Sequence, residues 1–318
     1  MQSVWERKGQ VVSRAYLQKY GLRLSQVPTL LVLGDGNLRL FFGGRDLCNR
    51  SRLMAVDIDP KNAMKIICEY AGPLFPLAIQ GEFDCDGMAP SSFINTDEEL
   101  LLFYTAIKLN GMPQYDTSIG LAYADKSQLN FNRKCPGPIL SKGPFDPYGV
   151  ITPCVLKEQD TFFLWYSSTV YWRPEQKPHP DHAYNIRFAR SKDLYQWQCA
   201  PTPAIDFKSE LESGLIRPWV QKNQDGLYEM WYSYRGPYDL ERTSLRKYKI
   251  GYSVSHNGMD WVRMDEGHVW SSPAVEGDWD YDMQCYQTVI TLNKKQYMFY
   301  CGNAYGAEGI GYAERRLV

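Results

Sequence analysis

Five copies of one short pattern constrain this chain more than anything else in it. Val27-Pro28-Thr29-Leu30, Ala89-Pro90-Ser91-Ser92, Thr152-Pro153-Cys154-Val155, Arg217-Pro218-Trp219-Val220 and Tyr286-Gln287-Thr288-Val289 align, and their second positions lie 62, 63, 65 and 69 residues apart. Such a period marks a chain assembled from copies of one supersecondary unit, none of which can bury its apolar face alone. Thirteen or fourteen residues after each copy comes a second strand ending in aromatic and small residues. These are Phe41-Phe42-Gly43-Gly44, Phe103-Tyr104-Thr105-Ala106, Trp165-Tyr166-Ser167-Ser168, Trp231-Tyr232-Ser233-Tyr234 and Phe299-Tyr300-Cys301-Gly302. Polar turns such as Gly34-Asp35-Gly36-Asn37 separate the two strands, a hairpin signal.

A third strand follows in every copy, as in Ile119-Gly120-Leu121-Ala122 and Ile310-Gly311-Tyr312-Ala313. Four copies then reach an edge strand: Met64 to Ile67, Leu129 to Phe131, Tyr195 to Gln198 and Met259 to Val262. The fifth copy runs out of chain at Val318, and Val4-Trp5-Glu6-Arg7-Lys8 resembles Asp260-Trp261-Val262-Arg263-Met264. An N-terminal strand that completes the last sheet removes an open edge. The expectation is therefore an all-β chain, a single five-bladed β-propeller over residues 1–318. Its blades begin near 27, 89, 152, 217 and 286, and the strand at 4–8 closes the fifth. Pro-containing insertions at 171–182 and 236–246 fall between second and third strands, as rim features or tolerated surface loops.

With 318 residues and 44% hydrophobic content the chain can fill a large core. Its 35 basic and 36 acidic residues balance to a net charge of -1, which gives no footprint for nucleic acid or anionic membrane. The N-terminus carries no secretory pattern and no apolar run reaches 18 residues. Eight cysteines stand singly, without a C-x-x-C pair. That argues against a zinc site or disulfide scaffold and for reduced thiols in a cytoplasmic protein with no metal or cofactor. Cys85, Cys154 and Cys285 fall at first-strand starts and read as small buried residues. Oligomeric state is not legible.

In a propeller the first strands run nearest the axis, so groups at their entries converge. Acids recur there: Asp84 and Asp86 before the second blade, Asp146 before the third, Glu212 before the fourth, and Asp278, Asp280 and Asp282 before the fifth. The first blade offers Gln26 and no acid. Carboxylates crowded into one partly buried site have their pKa values pushed apart, which prepares one as acid and another as base. Such pairs cleave glycosidic bonds.

The F/W-Y strand ends, the I-G-x-A third strands and the turn Ser191-Lys192-Asp193-Leu194-Tyr195-Gln196-Trp197 resemble the five-bladed propeller glycosidases. These are glycoside hydrolase families 43, 62, 32 and 68, together with the family 130 mannoside phosphorylases. The resemblance spans nearly the whole chain and implies catalysis by acids of the first, third and fourth blades. Phe145-Asp146-Pro147 looks like the third-blade motif, and Glu212-Ser213-Gly214 with Arg217-Pro218 resembles the fourth-blade one. An Asp before Pro28 is absent, so Asp86 is the preferred substitute as base or nucleophile, with Asp84 and Asp282 as alternatives. Glu212 is the expected general acid, and Asp146 the residue that orients sugar hydroxyls.

Tyr104, Tyr166, Tyr232 and Trp219 are the expected stacking surfaces, with Arg217 and Asp282 beside them. Arg45 and Arg52 resemble first-blade basic positions of the family 130 phosphorylases, which bind phosphate; a guanidinium fork suits equally a carboxylated or phosphorylated sugar. His182, Arg235 and His256 are weaker candidates. The leading expectation is a glycoside hydrolase acting on a carbohydrate, neutral or anionic. Alternatives are a phosphorylase using inorganic phosphate and a non-catalytic propeller that binds glycan or protein.

Overall fold

A computed structural model describes residues 3–110, 115–125, 129–173, 181–237 and 246–317. Strand β1 (Ser3–Ser13) leads into a short helix, α1 (Arg14–Lys19), which the repeat pattern did not predict. Four antiparallel units follow. The first holds β2 (Leu22–Val32), β3 (Leu38–Asp46), β4 (Ser51–Asp59) and β5 (Lys65–Glu69). The second holds β6 (Met88–Asn95), β7 (Glu99–Leu109), β8 (Tyr115–Asp125) and β9 (Asn132–Arg133). Next come β10 (Gly149–Glu158), β11 (Thr161–Arg173), β12 (Asp181–Ser191) and β13 (Gln198–Cys199). The fourth unit is β14 (Gly214–Lys222), β15 (Tyr228–Arg235), β16 (Lys249–Ser255) and β17 (Val262–Arg263), joined to the third by one parallel pair, Tyr184 with Gly214.

After β18 (His268–Trp270), the last unit is β19 (Cys285–Leu292), β20 (Lys295–Cys301) and β21 (Gly309–Arg316). Its fourth strand is β1, which runs antiparallel to β21 with Arg7 opposite Ala313. Apolar clusters lie between successive units. Phe41 and Leu53 meet Leu102 and Phe131; Phe103 and Leu121 meet Val150 and Leu164; Trp165 and Phe188 meet Leu215 and Met230; Trp231 and Ile250 meet Val289 and Met298. The largest joins the last unit to the first, with Phe299 and Ile310 beside Leu22, Leu30 and Phe42.

Fourth strands begin a few residues later than the sequence pattern predicts, and turn chemistry explains the delay. Ser191 Oγ accepts the amides of Asp193 and Leu194, Asp193 Oδ1 accepts those of Tyr195 and Gln196, and the Trp197 indole donates to Leu194 O. Ser255, Asn257 and Trp261 repeat the same turn before β17. Side chains that satisfy backbone amides in this way hold the chain out of the ladder until the turn is complete. Of the predicted insertions, residues 174–180 and 238–245 lie outside the described residues, while β11 and β12 extend the ladder to Arg173 and from Asp181. No helix among the described residues is long and apolar enough to cross a membrane.

Candidate functional site

Every first strand carries a bulge, between Gln26 and Thr29, Pro90 and Ser92, Ile151 and Cys154, Ile216 and Trp219, and Cys285 and Thr288, the second falling later in the repeat than the other four. Four bulges hold a non-glycine residue at positive φ: Val27 (55°), Thr152 (52°), Arg217 (60°) and Tyr286 (57°). A β-branched residue there is strained and persists only where surrounding packing over-determines it. Bulges re-aim side chains. Val27, Thr152 and Tyr286 of these bulges line one cavity of about 680 Å³, with Ala89 and Ile216 of the other two first strands beside them.

Above that floor the wall is aromatic and cationic. Tyr115, Tyr184, Tyr248 and Tyr305 line it, with Arg45, Arg235, Arg246 and His182, and Asp181 is the single carboxylate among the described lining residues. Tyr115 Oη lies 3.0 Å from His182 Nε2 and 2.8 Å from Tyr184 Oη, so one hydrogen-bonded chain crosses from β8 to β12. Burial raises the Tyr115, Tyr184 and Tyr286 phenols, which keeps them neutral donors. Arg235 donates to Asp181 Oδ1 at 3.3 Å and to His182 O at 2.8 Å. Burial opposes the Arg235 charge, but Tyr248, Asp181 and Tyr184 outweigh it and hold the guanidinium above its ordinary value.

Of the residues singled out from sequence, Arg45 and the weaker candidates His182 and Arg235 line this cavity, whereas Asp84, Asp86, Asp146, Glu212, Arg52, Tyr104, Tyr166, Arg217, Trp219, Tyr232, His256 and Asp282 do not. The acids recur in phase for another reason. Tyr104 Oη donates to Asp84, Tyr166 Oη to Asp146 and Tyr300 Oη to Asp280, at 2.9, 3.0 and 2.7 Å, and in each case the acid precedes its tyrosine by 20 residues. An arginine completes each group: Arg133 Nε at 2.9 Å from Asp84, Arg187 Nε at 3.7 Å from Asp146, Arg7 Nε at 3.0 Å from Asp280. Glu212 stands at the same 20-residue offset from Tyr232. There Tyr232 donates to Asp265 instead, and Arg263 grips Glu212 with two bonds of 2.7 and 2.8 Å. In the first unit the matching residues are Leu22 and Phe42, both buried, so an apolar pair replaces the acid and the tyrosine.

The remaining candidates are also engaged. Asp86 Oδ2 accepts the Leu109 amide at 2.7 Å from within the turns formed by residues 80–86. Gly87, at φ 107°, ends that loop where a Cβ would meet Ser51 O at 1.8 Å. Asp282 pairs with Lys247, Arg52 lies 3.9 Å from Asp46, and the Trp219 indole donates to Val289 O at 2.7 Å. Arg217 is fully buried with no ion pair among the described residues. It donates to Ser91 O (2.7 Å), Pro28 O (3.1 Å), Thr29 Oγ1 (3.2 Å) and Thr288 Oγ1 (2.7 Å), and burial pulls it down to about 10. Cys85, Cys154 and Cys285 are buried, and the described residues hold no cluster of three metal-ligating side chains.

The tyrosines of the wall were missed from sequence. Their signal is the residue two before the third-strand isoleucine, which faces the cavity in three units as Thr117, Tyr184 and Tyr248.

No family model matches the chain. An uncharacterized protein of Mycobacterium tuberculosis, Rv1502, is 28% identical over 313 residues, covering 97% of this chain and 98% of that protein. A solved glycoside hydrolase superposes with a TM-score of 0.74 at 17% identity, over 100% of this chain and 93% of the other. A second structure comes from work on mannoside phosphorylases and glycoside hydrolases of the GH130 family that target β-1,2-mannosidic linkages. It matches with a TM-score of 0.66 at 13% identity, over 92% and 84% of the two chains. The chain has the all-β fold of the propeller glycosidases.

Proposed function

We propose that this protein is a carbohydrate-active enzyme, that its sugar site is the cavity of about 680 Å³, and that its five units are the blades of one five-bladed propeller completed by β1. The observation that carries the reading is the convergence of the bulged first strands of all five units on one tyrosine-walled cavity. The apolar contact of the last unit with the first supports closure, and the glycosidase-like fold supports a saccharide as ligand. A concave site of this volume, largely apolar with a few convergent polar groups, is the usual form of a small-molecule site.

On this reading the reaction is cleavage of a glycosidic bond. Asp181, held by Arg235, fixes sugar hydroxyls, and His182, held by Tyr115, moves the proton. Hydrolysis by paired carboxyls needs two such groups across one bond. With one described carboxylate on the wall, the attacking oxygen comes from outside the protein, as water or inorganic phosphate. Asp84, Asp146 and Glu212 then serve the strands, not the substrate.

Assaying aryl glycosides and oligosaccharides with and without phosphate tests this. The expected result is release of sugar that His182→Ala and Asp181→Asn abolish, with a sugar phosphate as product if phosphate attacks. Full turnover in both variants would sink the assignment. A second reading, glycan binding without turnover, draws support from the pairing of the wall's described carboxylate with Arg235. Calorimetric binding with no product from any substrate would establish it.

A further inference from the structure

We propose that the saccharide taken by the cavity carries an anionic group, a carboxylate or a phosphate ester, and that Arg45 binds that group. This deepens the reading of the cavity as a sugar site and rests on it.

Arg45 projects from β3 into the cavity wall beside Gln26 and Asn49. Its partners are neutral: Nη1 donates to Asn49 O and Nη2 to Gln26 Oε1, both at 3.1 Å. Nε is buried with no acceptor, and the guanidinium has no ion pair among the described residues. The nearby acid is spoken for, since Asp46 accepts the Arg50 side chain and amide at 2.9 Å each and faces Arg52 at 3.9 Å. Asp46 thus already serves Arg50 and Arg52, while Arg23 adds a like charge near Arg45. The contrast with Arg235 is direct, because that cation on the same wall has Asp181.

A largely desolvated cation without a counter-charge lowers stability. Burial accordingly pulls Arg45 below the usual arginine value, while leaving it charged at neutral pH. A neutral sugar would be served by the tyrosines and Asp181 and would leave that deficit in place. An anion supplies the missing charge through a charge-assisted bond. Since one guanidinium is uncompensated, one anionic substituent fits, and the tyrosines around it suit a ring attached to that substituent.

The test is calorimetric titration of the full chain with glucuronate, glucose 1-phosphate, glucose and inorganic phosphate. The expected result is that one or both anionic sugars bind at least about tenfold more tightly than glucose and than inorganic phosphate, a gap set by one charge-assisted contact. Arg45→Gln closes the gap without changing glucose binding, and salt narrows it. If Arg45→Gln fails to fold, Gln26→Glu, which sets a carboxylate against Arg45, gives the same loss. Glucose binding as tightly as both anionic sugars overturns the inference and leaves the sugar reading standing. Inorganic phosphate binding as tightly as glucose 1-phosphate overturns the inference in favour of a site for free phosphate.

Discussion

Two aspartates in equivalent surroundings hold opposite charge preferences. Asp265 is partly buried, which works to raise its pKa, but Lys208, Tyr232 and Arg263 win and hold it below the ordinary carboxylate value. Asp146 is raised: burial outweighs the hydroxyls of Ser168 and Tyr166, and Arg187 stands off at 3.7 Å. A depressed folded pKa adds stability that is present above the unfolded value of about 3.9 and lost as pH falls through the folded value. A raised one adds stability that is greatest below that value and declines as pH climbs towards the folded pKa. Asp265→Asn is therefore expected to cost about 1–3 kcal/mol at pH 7, shrinking below about pH 4. Asp146→Asn costs less than Asp265→Asn at pH 7, or stabilises. Denaturant unfolding at several pH values checks the pair, and a larger cost for Asp146→Asn at neutral pH would contradict it.

Among the elements, the third unit exchanges two positions that the second, fourth and fifth keep. Opposite the strand-end tyrosine, the third strand has Gly120, Gly251 and Gly311 in the second, fourth and fifth units, but Arg187 in the third. Opposite Ala122, Ser253 and Ala313 the fourth strand has Arg133, Arg263 and Arg7, whereas Cys199 faces Ala189. The glycine makes room for the ring: a Cβ on Gly120 would sit 2.1 Å from Tyr104 Cζ. In the third unit the cation has moved from the fourth strand to the third, and its acid is held less closely. Arg187→Gly should destabilise by about 1–3 kcal/mol. Adding Cys199→Arg rebuilds the arrangement of the other units and should restore a good part of that loss. A double variant no more stable than the single one would show the two positions are not exchanged, as read out by denaturant midpoints.

Across the whole molecule, the repeat was legible because strand pattern and turns recur in phase, and the match of Trp5 and Arg7 to Trp261 and Arg263 located the strand that pairs with β21. Acids in phase do not by themselves mark a ligand site, since in the second, third and fifth units the in-phase acid is the partner of a buried tyrosine. The 20-residue offset from Asp84 to Tyr104 was present in the sequence, and so was the Leu22 and Phe42 pair that explains the acid-free first unit. Arg217 seemed a sugar ligand by its neighbours Glu212 and Pro218. It instead hydrogen-bonds to the first, second and fifth units, and its amide reaches Thr152 of the third. The wall position at the start of the third strand recurs as Thr117, Tyr184 and Tyr248, and its change of residue type from unit to unit hid it, while Tyr115 lies outside that phase.

The division of labour between acids that hold strands and a cavity that holds ligand is most directly tested with Glu212→Gln and His182→Ala, each followed by saccharide turnover and thermal unfolding. The prediction is a lowered melting temperature with ligand handling retained in Glu212→Gln, and turnover lost at nearly unchanged melting temperature in His182→Ala. Abolished turnover in a Glu212→Gln protein as stable as the parent would contradict it.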